Sequence, residues 1–133
     1  MKIIMVFGVF DGIHPGHEYV FKRAKELGDW LVVVVARDQT VKKVKGHFPK
    51  HKETQRIQAL EESPLVDQVV MGSKSNPYTI FNSIKPQVVC LGYDQEVFID
   101  KLPEALKQRN IEAEIIRLEA YQPERYKSSL LNT

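Results

Sequence analysis

Lys2-Ile3-Ile4-Met5-Val6-Phe7-Gly8-Val9-Phe10-Asp11-Gly12-Ile13-His14-Pro15-Gly16-His17 decides how this chain is read. The apolar run Lys2–Phe7 has the length of a strand. It passes into a glycine-punctuated turn and then into Pro15–Leu27, where Tyr19, Val20, Ala24 and Leu27 fall at helical spacing and Gly28 ends the pattern. Doubly wound sheets bind phosphate at such a junction. Gly8 and Gly12 let the backbone turn tightly and approach a ligand, and the helix N–H groups with the positive end of the dipole favour an anion. His14 and His17, at i and i+3 on the first helical turn, project to one side, within reach of the same phosphate oxygens. A single histidine near a helix start is usually a cap or a surface residue. The pair, bracketed by Gly8, Gly12 and Gly16, points to phosphate chemistry instead. A metal site is weaker, because spacing brings no third ligand to these two imidazoles.

Outward from this stretch, Trp30–Ala36 is β-branched and apolar on both faces, the pattern of a central strand covered from two sides. Gln68–Met71, Val88–Leu91 and Ala113–Leu118 complete a set of five strands. Helices are predicted at Glu53–Glu62, Tyr78–Ile84 and Lys101–Arg109, with Pro103 suited to the first turn of the last. Strand and helix alternating in this way predict the α/β class: a single Rossmann-like doubly wound domain over residues 1–133. It would have a five-stranded parallel sheet, right-handed crossovers, helices on both faces, and a ligand crevice at the carboxyl ends of the strands. No internal repeat, low-complexity tract or linker interrupts it.

With 133 residues, the chain has the length of one ordinary domain. No apolar run approaches the roughly 20 residues that cross a bilayer, and the first residues lack the features of a secretory signal, so a cytoplasmic protein is expected. The single cysteine, Cys90, cannot form an internal disulfide, and its apolar neighbours favour a buried, inert thiol. A formal charge of +2 is too small for a general polyanion binder, so nucleic acid is not an expected partner. The basic residues Lys42, Lys43, Lys45, Lys50, Lys52 and Arg56 are met only by Glu53, and Gly46 and Pro49 mark this stretch as a loop. A solvated loop and an anion-binding one carry equal weight there. There is no G-x-x-x-x-G-K-[ST], no G-x-G-x-x-G and no G-x-S-x-G, which disfavours P-loop kinases, nicotinamide dehydrogenases and elbow-type hydrolases.

Gly8-Val9-Phe10-Asp11 followed by His14-Pro15-Gly16-His17 resembles the first motif of the H-x-G-H nucleotidyltransferases, which include the cytidylyltransferases and pantetheine-phosphate adenylyltransferase. Having histidine at both positions suits the cytidylyltransferase-like branch. Val34-Val35-Ala36-Arg37-Asp38, Thr40-Val41-Lys42-Lys43, Lys45-Gly46 and Leu91-Gly92-Tyr93-Asp94-Gln95 are similar to the archaeal type of FAD synthase, and the resemblance runs from Lys2 to Ser129. It implies transfer of AMP from ATP to FMN, giving FAD and pyrophosphate without a covalent enzyme intermediate. It also implies that Gly8, Val9, Phe10, Asp11, His14 and His17 lie at the nucleotide, that both histidines contact its phosphates, and that Lys45 and Arg56 reach them from the basic loop and the following helix.

Read without the resemblance, Lys45 and Arg56 are ordinary solvated positions. Asp11 either supports the glycine turn or orients a histidine, and a structural role has at least equal weight. By resemblance Gly92, Tyr93 and Asp94 lie near the base and ribose, although Asp94 is also a turn former and Tyr93 suits the edge of a core. Ser128 and Ser129 resemble the motif that grips the triphosphate, and serine is also a good N-cap. Only four residues follow Ser129, so a shortened carboxyl-terminal helix is expected, and the cysteines that related FAD synthases tend to carry near this end are missing. Mg²⁺ or another divalent cation is expected to arrive with ATP, held largely by the phosphates, with no metal ligands assigned in the chain. A homodimer accords with the resemblance, though no pattern in the chain establishes it. The competing readings are a cytidylyltransferase using CTP and glycerol 3-phosphate, an enzyme acting on pantetheine phosphate, a non-catalytic nucleotide sensor or flavin carrier, and a nucleic-acid module built on the Lys42–Lys52 loop.

Overall fold

Strand β1 (Ile3–Gly8) and strand β2 (Trp30–Val35) are apolar along nearly their whole length, so both faces of the sheet they start need cover. In the computed structural model, which describes residues 1–12, 15–74, 76–91 and 101–118, they pair in parallel from Ile3 opposite Trp30 to Gly8 opposite Val35. Strand β3 (Gln68–Met71) adds to β2, β4 (Val88–Leu91) to β1, and β5 (Glu114–Arg117) to β4, all in parallel. The order is β3-β2-β1-β4-β5, the five-stranded sheet expected from the sequence.

Alternation along β1 sends Ile4 and Val6 to one face and Met5 and Phe7 to the other. On the first face Phe21 and Ala24 of helix α1 (Pro15–Lys25) and Leu60 of helix α3 (Glu53–Glu61) cover Leu31, Val33 and Val35. On the second, Phe81 and the Leu102 and Leu106 side chains of helix α4 (Leu102–Gln108) cover Val32, Val34 and Val89. Each fully buried side chain of this kind contributes about 1.5–3 kcal/mol relative to exposure. From β1 the chain moves to β2 on one side, and after β3 it returns to β4 on the other. This reversal is the topological switch point beside which open α/β sheets bind their ligands.

The structure departs from the sequence reading in three places. The stretch read as a basic loop begins with a helix, α2 (Asp38–Lys45), closed by Gly46 at φ 85°, whose N–H reaches Lys42 O at 2.8 Å. Its apolar residues are only Val41 and Val44, of which Val41 alone is buried, a pattern too short to stand out among the lysines. The helix expected at Tyr78–Ile84 is a 3₁₀ turn over Pro77–Asn82, started by the Asn76 side chain accepting from Tyr78 N at 2.9 Å and anchored by Phe81. Gly28 does not end α1 through a left-handed cap. It is needed because a Cβ there would lie 2.3 Å from Ile4 Cδ1 and 2.9 Å from Lys2 O.

Cys90, in β4, is completely buried, and burial together with the nearby Glu114 carboxylate pushes its pKa up to about 11. At pH 8 roughly one molecule in a thousand then carries the reactive thiolate. A thiol reagent is expected to label the native protein only as fast as it unfolds, and labelling at the rate of a free thiol would contradict this packing. Among the described residues no helix is long and apolar enough to cross a membrane.

Candidate active site

The carbonyl of Gly8, the last residue of β1, accepts from Ala36 N at 2.9 Å, which joins the ends of β1 and β2. Two residues on, Phe10 adopts φ 54°, a left-handed conformation that costs a bulky residue on the order of 1–3 kcal/mol. Its ring folds back over Gly8, where a Cβ would lie 2.7 Å from Phe10 Cζ. The space at Gly8, expected to admit a ligand, therefore holds the Phe10 ring. That ring is buried, meets His17 edge-on at 5.2 Å between centroids and touches Phe21 at 5.4 Å. It seats the first turn of α1 against the strand end. Gly12, at φ 93°, supplies the tight bend, and its N–H closes on Phe10 O at 3.0 Å.

Asp11, at the tip of this turn, accepts from Lys50 N at 2.7 Å and from both His51 N and His51 Nδ1 at 2.8 Å. It thus supports the turn and also orients a histidine, His51. The sequence reading passed over His51. The only local signal was a histidine among lysines just before a helix, and its partner lies 40 residues away. Desolvation raises the Asp11 pKa, but the Lys50 and His51 amides, the ring hydrogen bond and the imidazole charge outweigh it and lower the pKa from 3.8 to about 2. A depressed carboxyl pKa stabilises the fold fully above the unfolded value, and this is lost as pH falls through the folded one. The gap in unfolding free energy between the native protein and Asp11→Asn is therefore expected to shrink between pH 3.8 and about 2. Denaturant titrations across this window check it, and a constant gap would contradict it.

Beneath the turn lies Arg56. The sequence alone suggested a solvated position and the resemblance a phosphate contact, but the side chain is 1% exposed and its guanidinium is largely occupied. Nε donates to His51 O at 3.1 Å, one terminal nitrogen to Val9 O and Ala36 O at 2.8 Å each, and the other to Asp38 Oδ1 at 2.7 Å. These four bonds use all but one of the five N–H groups of an arginine. Arg56 therefore holds the ends of β1 and β2 and the approach to α3 in place.

Asp38 and Glu53 cap each other's helices. Asp38 N donates to Glu53 Oε1 at 2.8 Å and Glu53 N to Asp38 Oδ2 at 3.3 Å, while Arg37 Nε reaches Gly72 O at 2.6 Å. This cross-capping accounts for α2, whose own sequence offers so little.

Around the turn the structure therefore assembles Gly8, Val9, Phe10, Asp11, His17 and Arg56. Lys45 is not among them: it is exposed at the last position of α2, a helix end rather than a loop. His14, Gly92, Tyr93, Asp94, Ser128 and Ser129 lie outside the described residues.

A histidine-bearing helix start, set behind a strained glycine turn at the switch point of a five-stranded parallel sheet, defines a phosphate-handling Rossmann-like α/β protein. Residues 5–133 match the family model described as cytidylyltransferase-like, and the chain belongs to that family. The FAD synthase of Thermococcus sibiricus is 40% identical over 131 residues, covering 98% of this chain and 86% of that protein. The FAD synthase of Ferroglobus placidus is 42% identical over 122 residues, 90% of this chain and 78% of that one. Among solved structures, a lipopolysaccharide core biosynthesis protein from Thermoplasma volcanium superposes with a TM-score of 0.85 at 35% identity, covering 92% of this chain and 99% of that one. A pantoate-beta-alanine ligase from Francisella tularensis has a TM-score of 0.66 at 20% identity, covering 92% of this chain and 60% of that one, a likeness of fold alone.

Proposed function

We propose that this protein is an FMN adenylyltransferase: it transfers AMP from ATP to FMN and releases FAD and pyrophosphate. The observation that carries the reading is identity of about 40% to archaeal FAD synthases along nearly the whole chain, with the histidine-bearing turn inside the shared region. The FMN phosphate attacks the α-phosphorus of ATP in line, and the bond to the pyrophosphate oxygen breaks. Catalysis then consists of aligning two polyanions and neutralising the charge that builds on the transferring phosphate.

In this reading His17, with His14, donates to the nucleotide phosphates, and the first N–H groups of α1 add to that field. Phe10 fixes the height of the His17 ring, and Asp11 and Arg56 keep the turn beneath it from shifting. Lys45 reaches the outer phosphates from the end of α2. The described part of the site offers N–H donors, its one central carboxylate is already engaged by three of them, and no cluster of three metal-ligating side chains occurs among the described residues. These features suit a divalent cation carried by the phosphate oxygens, which it would partly neutralise. We treat residues 1–133 as one such domain, acting in the cytoplasm on two small-molecule substrates, with no nucleic-acid or membrane partner.

The test is pyrophosphate release with Mg²⁺ and each pairing of ATP or CTP with FMN, glycerol 3-phosphate or pantetheine phosphate. Release with ATP and FMN, with FAD appearing by chromatography, is expected. Release only with CTP and glycerol 3-phosphate would replace the reading with a cytidylyltransferase. ATP binding without release from any pair would point to a sensor.

A further inference from the structure

Besides His17 at the helix start, the fold brings His51 to the same turn. The Lys50 and His51 amides already tie this stretch of chain to Asp11 without help from any side chain. The imidazole adds one more bond, from Nδ1 to Asp11 Oδ1 at 2.8 Å, and this bond sets the direction of the ring. An ionised carboxylate only accepts, so the proton sits on Nδ1 and Nε2 is left as the ring's other polar atom. Nε2 has no partner among the described residues, and the ring is half-exposed. The carbon bonded to both nitrogens, Cε1, lies 3.8 Å from where a Cβ on Gly12 would stand, so the edge of the ring that joins Nδ1 to Nε2 lies against the glycine bend. Lys50 and Lys52 flank it, and Arg56 holds its carbonyl from below.

We infer that His51 is a further phosphate-contacting residue of the nucleotide site, donating from Nε2 to an oxygen of the nucleotide's phosphate chain while Asp11 holds the ring through Nδ1. The inference rests on the nucleotidyltransferase reading above and extends it to a residue outside the H-x-G-H motif. Donation from Nε2 while Nδ1 is bonded to Asp11 makes the ring an imidazolium between a carboxylate and a phosphate, an arrangement with a charge-assisted hydrogen bond on each side.

The experiment separates a contact from a lock by choice of substitution. In His51→Asn the amide nitrogen takes the place of Nδ1 and can still donate to Asp11, but nothing replaces Nε2. His51→Ala loses both. Binding of inorganic pyrophosphate with Mg²⁺ is measured by calorimetry, alongside the melting temperature and turnover with ATP and FMN. His51→Asn is expected to melt like the native protein and to bind pyrophosphate about tenfold or more weakly, as loss of a hydrogen bond to a charged group implies. In the native protein the His51 Nε2 resonance is expected to move on adding pyrophosphate, a readout that needs no variant. Native-like pyrophosphate binding by His51→Asn, or an unmoved resonance, overturns the inference and leaves the ring a lock. If the native protein turns over no ATP with FMN yet binds pyrophosphate through His51, the proposed reaction fails and this contact stands.

Discussion

Replacing Arg56 with alanine is expected to destabilise the fold by about 2–4 kcal/mol, because a buried guanidinium with four hydrogen bonds is lost while its ion-pair partner Asp38 is 27% exposed. The guanidinium is almost completely buried, so its loss leaves the Asp38 carboxylate without its cation and the carbonyls of Val9 and Ala36 without their donor. With a total stability of about 5–15 kcal/mol for a domain of this kind, the variant would retain little margin. Arg56→Lys keeps the charge but not the planar fork that reaches Val9, Ala36, Asp38 and His51 together, so it is expected to recover only part of the loss. Urea titration of the three proteins checks both statements. A loss below about 1 kcal/mol for the alanine variant would mean that the network is dispensable.

The second large effect falls on rate rather than stability. His17→Ala is expected to lower kcat by about 10²–10³, as removal of one donor to a developing phosphate charge typically does. Its folding cost is expected to stay near the 0.5–1.5 kcal/mol of a single aromatic contact, here with Phe10. Turnover and unfolding measured on the same preparation separate the two quantities. Losses of similar size in both would make His17 a packing residue and remove its assigned role. Both residues border the same turn, but Arg56 is buried beneath it with four of its five N–H groups engaged, whereas His17 is only partly buried at the helix start.

The class of fold and the glycine turn that ends its first strand were legible from the amino-acid sequence, because both rest on local patterns. Five apolar runs of strand length, the glycine turn after the first, and two histidines at helical spacing need only neighbouring residues to be recognised. Val88–Leu91 was readable for the same reason, since a strand buried on both faces is a continuous apolar run, and the half-buried edge strand Gln68–Met71 showed as a short run of its own.

What escaped the sequence depends on residues far apart in the chain. The first N–H of helix α2 is capped by Glu53, 15 residues from Asp38, and its own pattern is only Val41 and Val44 among lysines. The burial of Arg56 follows from carbonyls on two separate strand ends, up to 47 residues away, and no local pattern distinguishes it from a solvated helix arginine. The 40-residue link from Asp11 to His51 has no counterpart in spacing or composition. Periodicity and turn chemistry determined the sheet and the glycine turn after its first strand. Only the assembled sheet, by bringing strand ends and helix starts to one edge, decided which charged groups are buried supports and which still face solvent.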